Sequence, residues 1–484
     1  MRNFLFCILF FFTFSQIALS EEPSIKEFEE YQSKQEYLSE YKMNYDEVKK
    51  NDLKSIKEQD AKKKSAIGEF KKSNEIYNEV LKLEPNNIEA KLQIAQNYRS
   101  EECYIRAINY LDSIEQTPEV RELKARIYLK DLHMPDNASE EVLNINTDTA
   151  WEIKEKARRK KAFRFVPGYA FMIQSLSQEF KLDAQRFYMG VEEGVRKNTK
   201  LYGNYNIFVY TSGGNEPEHN VVNNIIVGAK GHPVKEWEYD ANFGVKIFQF
   251  GHKTLLNTDS WLKYNFGDES SIKIGYYREN MEQSYLSSVG RFIDGKFTGR
   301  CANDRVYINY TKHFENRTYI STDAIFGFVM GRNLPTNLYY ESIISFGKHL
   351  YINPNNKYIN KFDIEISTDN MRYQYDLLNL YSKSGQLFGG YFSPEFFDAT
   401  TLKIIAEGKY KHFKYGIEAF GGVQTSISTT QTIPAWGVSP YIKYDINDTV
   451  SFYAEYNHYQ YADVQRNLFS VYITIRGFKK HAKR

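Results

Sequence analysis

Phe362-Asp363-Ile364-Glu365-Ile366 alternates apolar and acidic side chains residue by residue. A period of two places Phe362, Ile364 and Ile366 on one face of an extended strand and Asp363 and Glu365 on the other. Trp237-Glu238-Tyr239-Asp240-Ala241, Tyr441-Ile442-Lys443-Tyr444-Asp445-Ile446 and Ser470-Val471-Tyr472-Ile473-Thr474-Ile475-Arg476 follow the same rule. Polar turns separate such runs from about Ala162 to Phe478. A water-soluble sandwich buries the apolar face and needs far fewer strands. Over this length, behind a secretion signal, the pattern reads the other way: apolar side chains toward lipid, charged ones toward a wet lumen.

Roughly 317 residues at about twenty per strand and turn give about sixteen strands, an even number that returns both ends to one side of the membrane. Seventeen candidates centre between 168 and 473, so one is surplus. The short pair near 262 and 275 is the expected place for a merger; another candidate centres near 389. The polar stretches Ser212–Asn220, Asn280–Gly299, Asn370–Gly385 and Thr425–Ile433 suit extracellular loops, with room for one of them to fold inward as a plug. Alternation turns Val471, Ile473 and Ile475 to lipid. It turns Glu238, Asp240, Lys246, Asp363, Glu365, Glu407, Lys443, Tyr453, Glu455, Tyr472 and Arg476 into the lumen, because a charge facing mid-bilayer lipid costs about 2–4 kcal/mol. Interior charges of mixed sign also pair across a wall simply to hold it together, so none of these is a binding residue by position alone.

The remainder of the chain fits this placement. Arg2, the apolar run Phe4–Phe14 and Ala18-Leu19-Ser20 before Glu21 have the layout of a secretory signal, expected to occupy 1–20. No later segment supplies eighteen apolar residues, which argues against helical spans. Tyr (39) and Phe (34) far outnumber Trp (4), and Tyr suits membrane–water girdles. Beyond the signal only Cys103 and Cys301 remain, in different expected domains, so no disulfide scaffold is expected.

Residues 21–160 read as helix. Phe28, Tyr31, Leu38, Tyr41, Tyr45 and Val48 fall at helical spacings. Phe70, Ser73, Tyr77 and Val80 are followed 34 residues later by Tyr104, Ala107, Leu111 and Ile114, with Pro85 closing the first unit and Ile94, Ala95 and Tyr98 in the next helix. This resembles the tetratricopeptide repeat, in which a small residue such as Ser73 or Ala107 lets helices touch and Tyr77, Tyr98, Tyr104 and Leu111 fill between them. A generic array of helical hairpins fits the same spacing. The expected architecture is thus α + β in two domains: a tetratricopeptide-like helical domain at 21–160, in the periplasm, then a transmembrane antiparallel β-barrel of about 16 strands at 161–478. A basic tail, 479–484, follows.

The helical part carries 25 basic and 30 acidic residues, and 161–484 carries 37 and 31, four of those bases in the tail. The barrel is therefore almost neutral, which excludes nothing about nucleic acid by charge and disfavours a dense polyanion as cargo. Catalytic and metal signatures are missing: the nine His are scattered, and no phosphate loop or Gly-x-Ser-x-Gly elbow occurs. Ser428 and His412 are arbitrary candidates for a rim hydrolase. No enzyme, cofactor or metal is expected.

One segment carries a family resemblance. Gly389-Gly390-Tyr391-Phe392-Ser393-Pro394 resembles a stretch in the carboxy-terminal barrel of the cellulose synthase operon protein C family, whose order of signal, repeats and barrel is the same. Physically, the glycines permit close approach and Pro394 belongs at a strand end or bulge; Tyr391 offers a flat face to a sugar or simply packs, and a structural role for the motif is the favoured reading. The resemblance implies an outer-membrane porin exporting an exopolysaccharide in biofilm formation, with lipid around it, the polymer inside and periplasmic proteins on the repeats. The helical part is much shorter than that family's. Surface lipoprotein assembly modifiers, which join a short repeat domain to a barrel, are the alternative.

Overall fold

The structure, a computed structural model, describes residues 47–477 except 177–179, 213–217, 251–253, 315–316, 353–355, 357, 382, 384, 386–389, 427–431, 448 and 462–463. The expected signal, the 28–45 stripe, Gly389, Ser428 and the basic tail lie outside the described residues. Met1–Lys57 and Glu58–Arg484 form two compact units. In the first, the described residues 47–57 are helical; everything below concerns the second.

Among the described residues seven helices precede the strands: α1 (Glu47–Ala66), α2 (Phe70–Leu83), α3 (Ile88–Ser100), α4 (Tyr104–Asp112), α5 (Pro118–Lys130), α6 (Pro135–Glu141) and α7 (Asp148–Lys161). Their starts follow from the sequence. Asn87, Thr117 and Thr147 each accept a hydrogen bond from the amide three residues on, capping α3, α5 and α7. Pro118 occupies the first turn of α5, where its missing N–H costs nothing. Ser73 is wholly buried and its hydroxyl donates to the Ala61 carbonyl at 2.8 Å. Tyr77, Ala107 and Leu111 are buried in the same stack, with Tyr98 and Tyr104 packed against it.

Arg158, Arg159, Lys160 and Lys161 fill the last turn of α7, where cations offset the carboxyl end of the helix dipole. Two residues later the first strand begins. The strands are β1 (Arg164–Leu176), β2 (Phe180–Gly194), β3 (Thr199–Ser212), β4 (His219–Val234), β5 (Trp237–Phe248), β6 (Thr254–Phe266), β7 (Ser270–Asn280), the short β8 (Arg291–Ile293), β9 (Lys296–His313), β10 (Thr318–Arg332), β11 (Asn337–Ile352), β12 (Lys361–Tyr373), β13 (Phe397–Tyr410), β14 (Phe413–Ser426), β15 (Thr432–Asp445), β16 (Val450–Tyr461) and β17 (Val464–Arg476). Every neighbour pairs antiparallel. β7 pairs with β9, β8 forms only a small hairpin on β9, and β17 returns to β1, closing a 16-strand barrel. Closure removes the exposed edges an open sheet would carry.

The surplus candidate is not where the sequence reading put it. The strands near 262 and 275 are both present, as β6 and β7. The false one is that near 389, since the described residues around it lie in the connection 374–396. The expected loops also shift at their ends: β3 runs to Ser212, β4 begins at His219, β7 runs to Asn280, β12 to Tyr373 and β14 to Ser426, β15 begins at Thr432, and Lys296–Gly299 already belong to β9.

Exposed large apolar residues follow the outward parity: Phe187, Met189 and Val191 on β2, Ile225 and Val227 on β4, Val306 and Ile308 on β9, Ile344 and Phe346 on β11, Phe469, Ile473 and Ile475 on β17. Rings border this belt: Trp237, Tyr264, Phe413 and Tyr444 toward one end, Tyr276, Tyr340, Trp436 and Tyr456 toward the other. An apolar band between aromatic girdles is the exterior of an outer-membrane barrel. The end carrying both termini of the barrel has connections of two to eight residues; we call it the helix side. At the opposite, far end two connections are long, 281–295 and 374–396.

Candidate functional site

The helices sit directly on the helix-side turns. The Asp268 carboxylate, in the β6–β7 turn, accepts from the amides of Ile105 and Arg106 at 2.8 and 2.5 Å, at the open start of α4. Burial pushes the Asp268 carboxyl above its usual range. Asn198 and Asp136 exchange two hydrogen bonds of 2.8 Å, Lys235 donates to Asn109 at 2.6 Å, and Lys361 pairs with Glu102 at 3.5 Å. Arg317 donates to the Gly68 carbonyl.

Between these contacts lies a cavity of about 720 Å³, lined by Tyr98, Tyr104 and Arg106 of the helices and His232, Glu238 and Lys263 of the wall. His133, in the left-handed region at φ 57° after α5, also lines it. Its Nδ1 lies 3.1 Å from Lys160 Nζ. Burial, with Lys160 beside it, pushes His133 down to about 4, so at neutral pH it is an acceptor for that ammonium.

The wall above this cavity brings together most of the residues expected to face the lumen. Tyr202 donates to Asp240 at 2.5 Å, and His232 lies 3.4 Å from Glu238. Asp363 meets His349 at 2.8 Å and Lys361 at 3.5 Å. Tyr319 donates to Glu365 at 2.7 Å, and Lys403 ties Glu365 to Glu418 at 3.3 and 3.6 Å. Tyr453 donates to Glu455 at 2.6 Å. Glu407 has the same parity as Lys403, while Lys443 faces Lys414 and Arg476 faces Arg164 across adjacent strands. Mixed signs woven this densely brace the wall and leave little free charge of either kind along most of it.

Tyr453 and Tyr472 belong to a larger row. Tyr441, Tyr453, Tyr472 and Tyr188 follow one another around β15, β16, β17 and β2 with centroid separations of 6.1, 6.1 and 5.8 Å. Room for them comes from glycine on the neighbouring strand: a Cβ at Gly168 would lie 2.4 Å from the Tyr472 ring, and one at Gly416 2.4 Å from the Tyr441 ring. Such a band presents flat apolar faces, each carrying a hydroxyl group. Tyr188 and Tyr441 escaped the sequence reading. An inward glycine opposite each ring is the signal that marks them, and it needs the register to be seen.

The far end is occupied by the two long connections. In 281–290 a short helix, α8 (Tyr285–Ser288), turns into the barrel. Glu282 accepts from Tyr210 of β3 at 2.5 Å and meets Lys246 of β5 at 3.1 Å; Gln174 of β1 donates to the Gln283 carbonyl at 3.2 Å. Lys246 is 0% exposed and also reaches Glu279 at 3.5 Å.

The second connection locks onto the first. Ser284 donates to the Gly390 carbonyl at 2.5 Å, and the Phe392 amide donates to Gln283 at 2.7 Å. Ser393, 0% exposed, accepts from the Leu377 amide at 2.8 Å, and the buried Tyr391 hydroxyl accepts from Asn337 at 3.2 Å. Phe392 packs beside Phe397, Val464 and Tyr459 toward β16 and β17. A Cβ at Gly390 would lie 1.7 Å from the Leu377 carbonyl oxygen. The described part of the Gly-Gly-Tyr-Phe-Ser-Pro motif thus ties two loops together across the lumen, and Tyr391 packs inside that tie.

Cys103 and Cys301 are free thiols, and no cluster of three metal-ligating side chains occurs among the described residues. His412 lies exposed in the β13–β14 turn.

No protein-family model matches the chain, and no curated protein does. Among solved structures, a bacterial polysaccharide outer membrane secretin is similar at TM-score 0.48 and 10% identity, over 66% of this chain and 99% of that one. CdiB from Acinetobacter baumannii is similar at TM-score 0.35 and 8% identity, over 64% of this chain and 60% of that one. OpdQ from Pseudomonas aeruginosa gives TM-score 0.34 and 8% identity, over 65% and 97%. These likenesses are to barrel architecture.

Proposed function

We propose that this protein is an outer-membrane export channel for an exopolysaccharide of low charge density, cellulose-like in that respect, with the helices on the periplasmic side. The observation that carries the reading is a cavity of about 720 Å³ between helices and wall together with a band of tyrosines on the inward face of that wall. Export needs no catalytic group. It needs a path that binds weakly at many places and so releases what it binds. Sugar rings stacking on Tyr188, Tyr441, Tyr453 and Tyr472 meet that requirement, and the braced charges leave little to trap a neutral polymer. The tetratricopeptide-like helices act as a guide at the mouth and as the docking surface for periplasmic partners. The linked loops at the far end close the route when no polymer is present.

Gene deletion tests this. Loss of extracellular polymer with intact synthesis supports export; a deletion strain secreting normal amounts refutes it. If polymer is unchanged while a lipoprotein disappears from the cell surface, the protein serves lipoprotein transfer instead.

A further inference from the structure

The luminal charge is balanced as a whole but not locally. At the helix side, Arg164 faces Arg476 across β1 and β17, Lys200 faces Lys230 across β3 and β4, and Lys414 faces Lys443 across β14 and β15. All six are inward by parity and all sit at the strand ends nearest the helices. Like charges directly opposite on neighbouring strands destabilise a sheet, and one such pair would be unremarkable. Three at one level of one mouth are not what wall bracing produces.

Around Arg164, Lys200, Lys230, Lys414 and Lys443 the carboxylates are fewer than the cations. Glu192 serves Arg164, Lys200 and Lys230 together, at 3.4, 2.9 and 2.9 Å, Asp240 stands opposite Lys230 across β4 and β5, and Asp445 follows Lys443 two residues on. Lys160 of α7 faces the same group. Burial and then the nearby Lys200, Arg164 and Arg476 pull it down to about 8. Elsewhere on the wall Glu365 and Asp363 are each matched by a cation.

We propose that this cationic arc is a binding subsite for carboxylate groups carried at intervals along the exported polysaccharide. The inference rests on the export reading and sharpens it: the cargo is a sparsely acidic glycan rather than a charge-free one. Carboxylates arriving from the cavity are drawn to the arc by the unbalanced field. Past it, neutral sugar faces meet the tyrosine band and the charge-matched wall, so the polymer is registered at the mouth and released beyond it.

The full-length protein, purified in detergent, is titrated with oligogalacturonate and with a neutral malto-oligosaccharide of equal length. The acidic oligomer is expected to bind, the neutral one to bind at least tenfold more weakly, and the difference to shrink as salt is raised, since screening weakens exposed charge pairs. The combined change Lys200→Gln, Lys443→Gln and Arg476→Gln is expected to weaken the acidic oligomer about tenfold or more. Glu192→Gln, which deletes the shared carboxylate, is expected to tighten it. Lys273→Gln, elsewhere on the wall, serves as the folded control. Equal binding of the two oligomers, no binding of the acidic one, or no loss in the triple variant overturns the proposal. Because the export reading stands or falls on secretion by the deletion strain, the two failures are distinguishable.

Discussion

Replacing Lys246 by Met removes the ammonium 3.1 Å from Glu282 while keeping a side chain of similar length. Lys246 is 0% exposed, and its charge is met by the carboxylates of Glu282 and Glu279. The loop 281–290 is in turn held to β5 by this pair and to β3 by Tyr210. After Lys246→Met the Glu282 carboxylate keeps one donor, the Tyr210 hydroxyl, in a site that excludes most water. Breaking a buried ion pair by removing one partner costs about 3–5 kcal/mol. The seated state of the loop bears that cost, whereas a released loop takes Glu282 into water. At about 1.4 kcal/mol per factor of ten, the seated-to-released ratio falls roughly 10²- to 10³-fold. In planar bilayers the variant is expected to show frequent large conducting events that the parent lacks, and cells should become permeable to vancomycin-sized solutes. Lys246→Met with Glu282→Met returns an apolar contact in place of the stranded charge and should restore the quiet state. The reasoning fails if Lys246→Met, still heat-modifiable on gels as a folded barrel, conducts like the parent, or if the double variant leaks as much as the single one.

Three further outcomes follow from the same geometry. Gly390→Ala places a methyl 1.7 Å from the Leu377 carbonyl; the loop must shift, the Ser284 hydroxyl loses its acceptor at about 1–3 kcal/mol, and bilayer current should rise as in Lys246→Met. His133, pushed down to about 4 by burial, takes up its proton more readily unfolded than folded. Its contribution is therefore complete above about 6.5 and is lost as pH falls from there through 4; melting of the helical part should drop across that window, and His133→Asn should flatten the slope. Asp268→Asn leaves one acceptor for the two amides of Ile105 and Arg106. A loss of about 1.5 kcal/mol should speed proteolytic cleavage after Lys161 about tenfold, with barrel heat-modifiability unchanged.

The wall was legible because its signal is local. A residue at Glu365 or Lys246 is assigned a side by its two neighbours alone, and lipid enforces that assignment over the whole length of the barrel. The loops were not legible, for a physical reason. Tyr391 and Phe392 are apolar residues that need cover, and a lipid-facing strand and a loop packed against another loop supply cover equally well. Gly390 and Pro394 argued against a regular strand, but not for any particular partner. Lys246 was directed inward from sequence, yet Glu282, 36 residues on in a loop, could not be named as its mate. The opposed cations escaped for a related cause: Lys200 and Lys230 become neighbours only once β3 and β4 are in register.

The helices rest on anchors drawn from four separate turns, Asn198, Lys235, Asp268 and Arg317, and from Lys361 at the start of β12. These residues span 164 positions of chain and come to one level only when β2 through β12 are paired. The seam at β1 and β17 adds a last tie, where the Gly477 amide donates to Phe163 beside the end of α7. During biogenesis the helical part is made first but finds its seat last. Its docking is a checkpoint that an unfinished wall cannot satisfy, so protease resistance after Lys161 becomes a clock for barrel assembly.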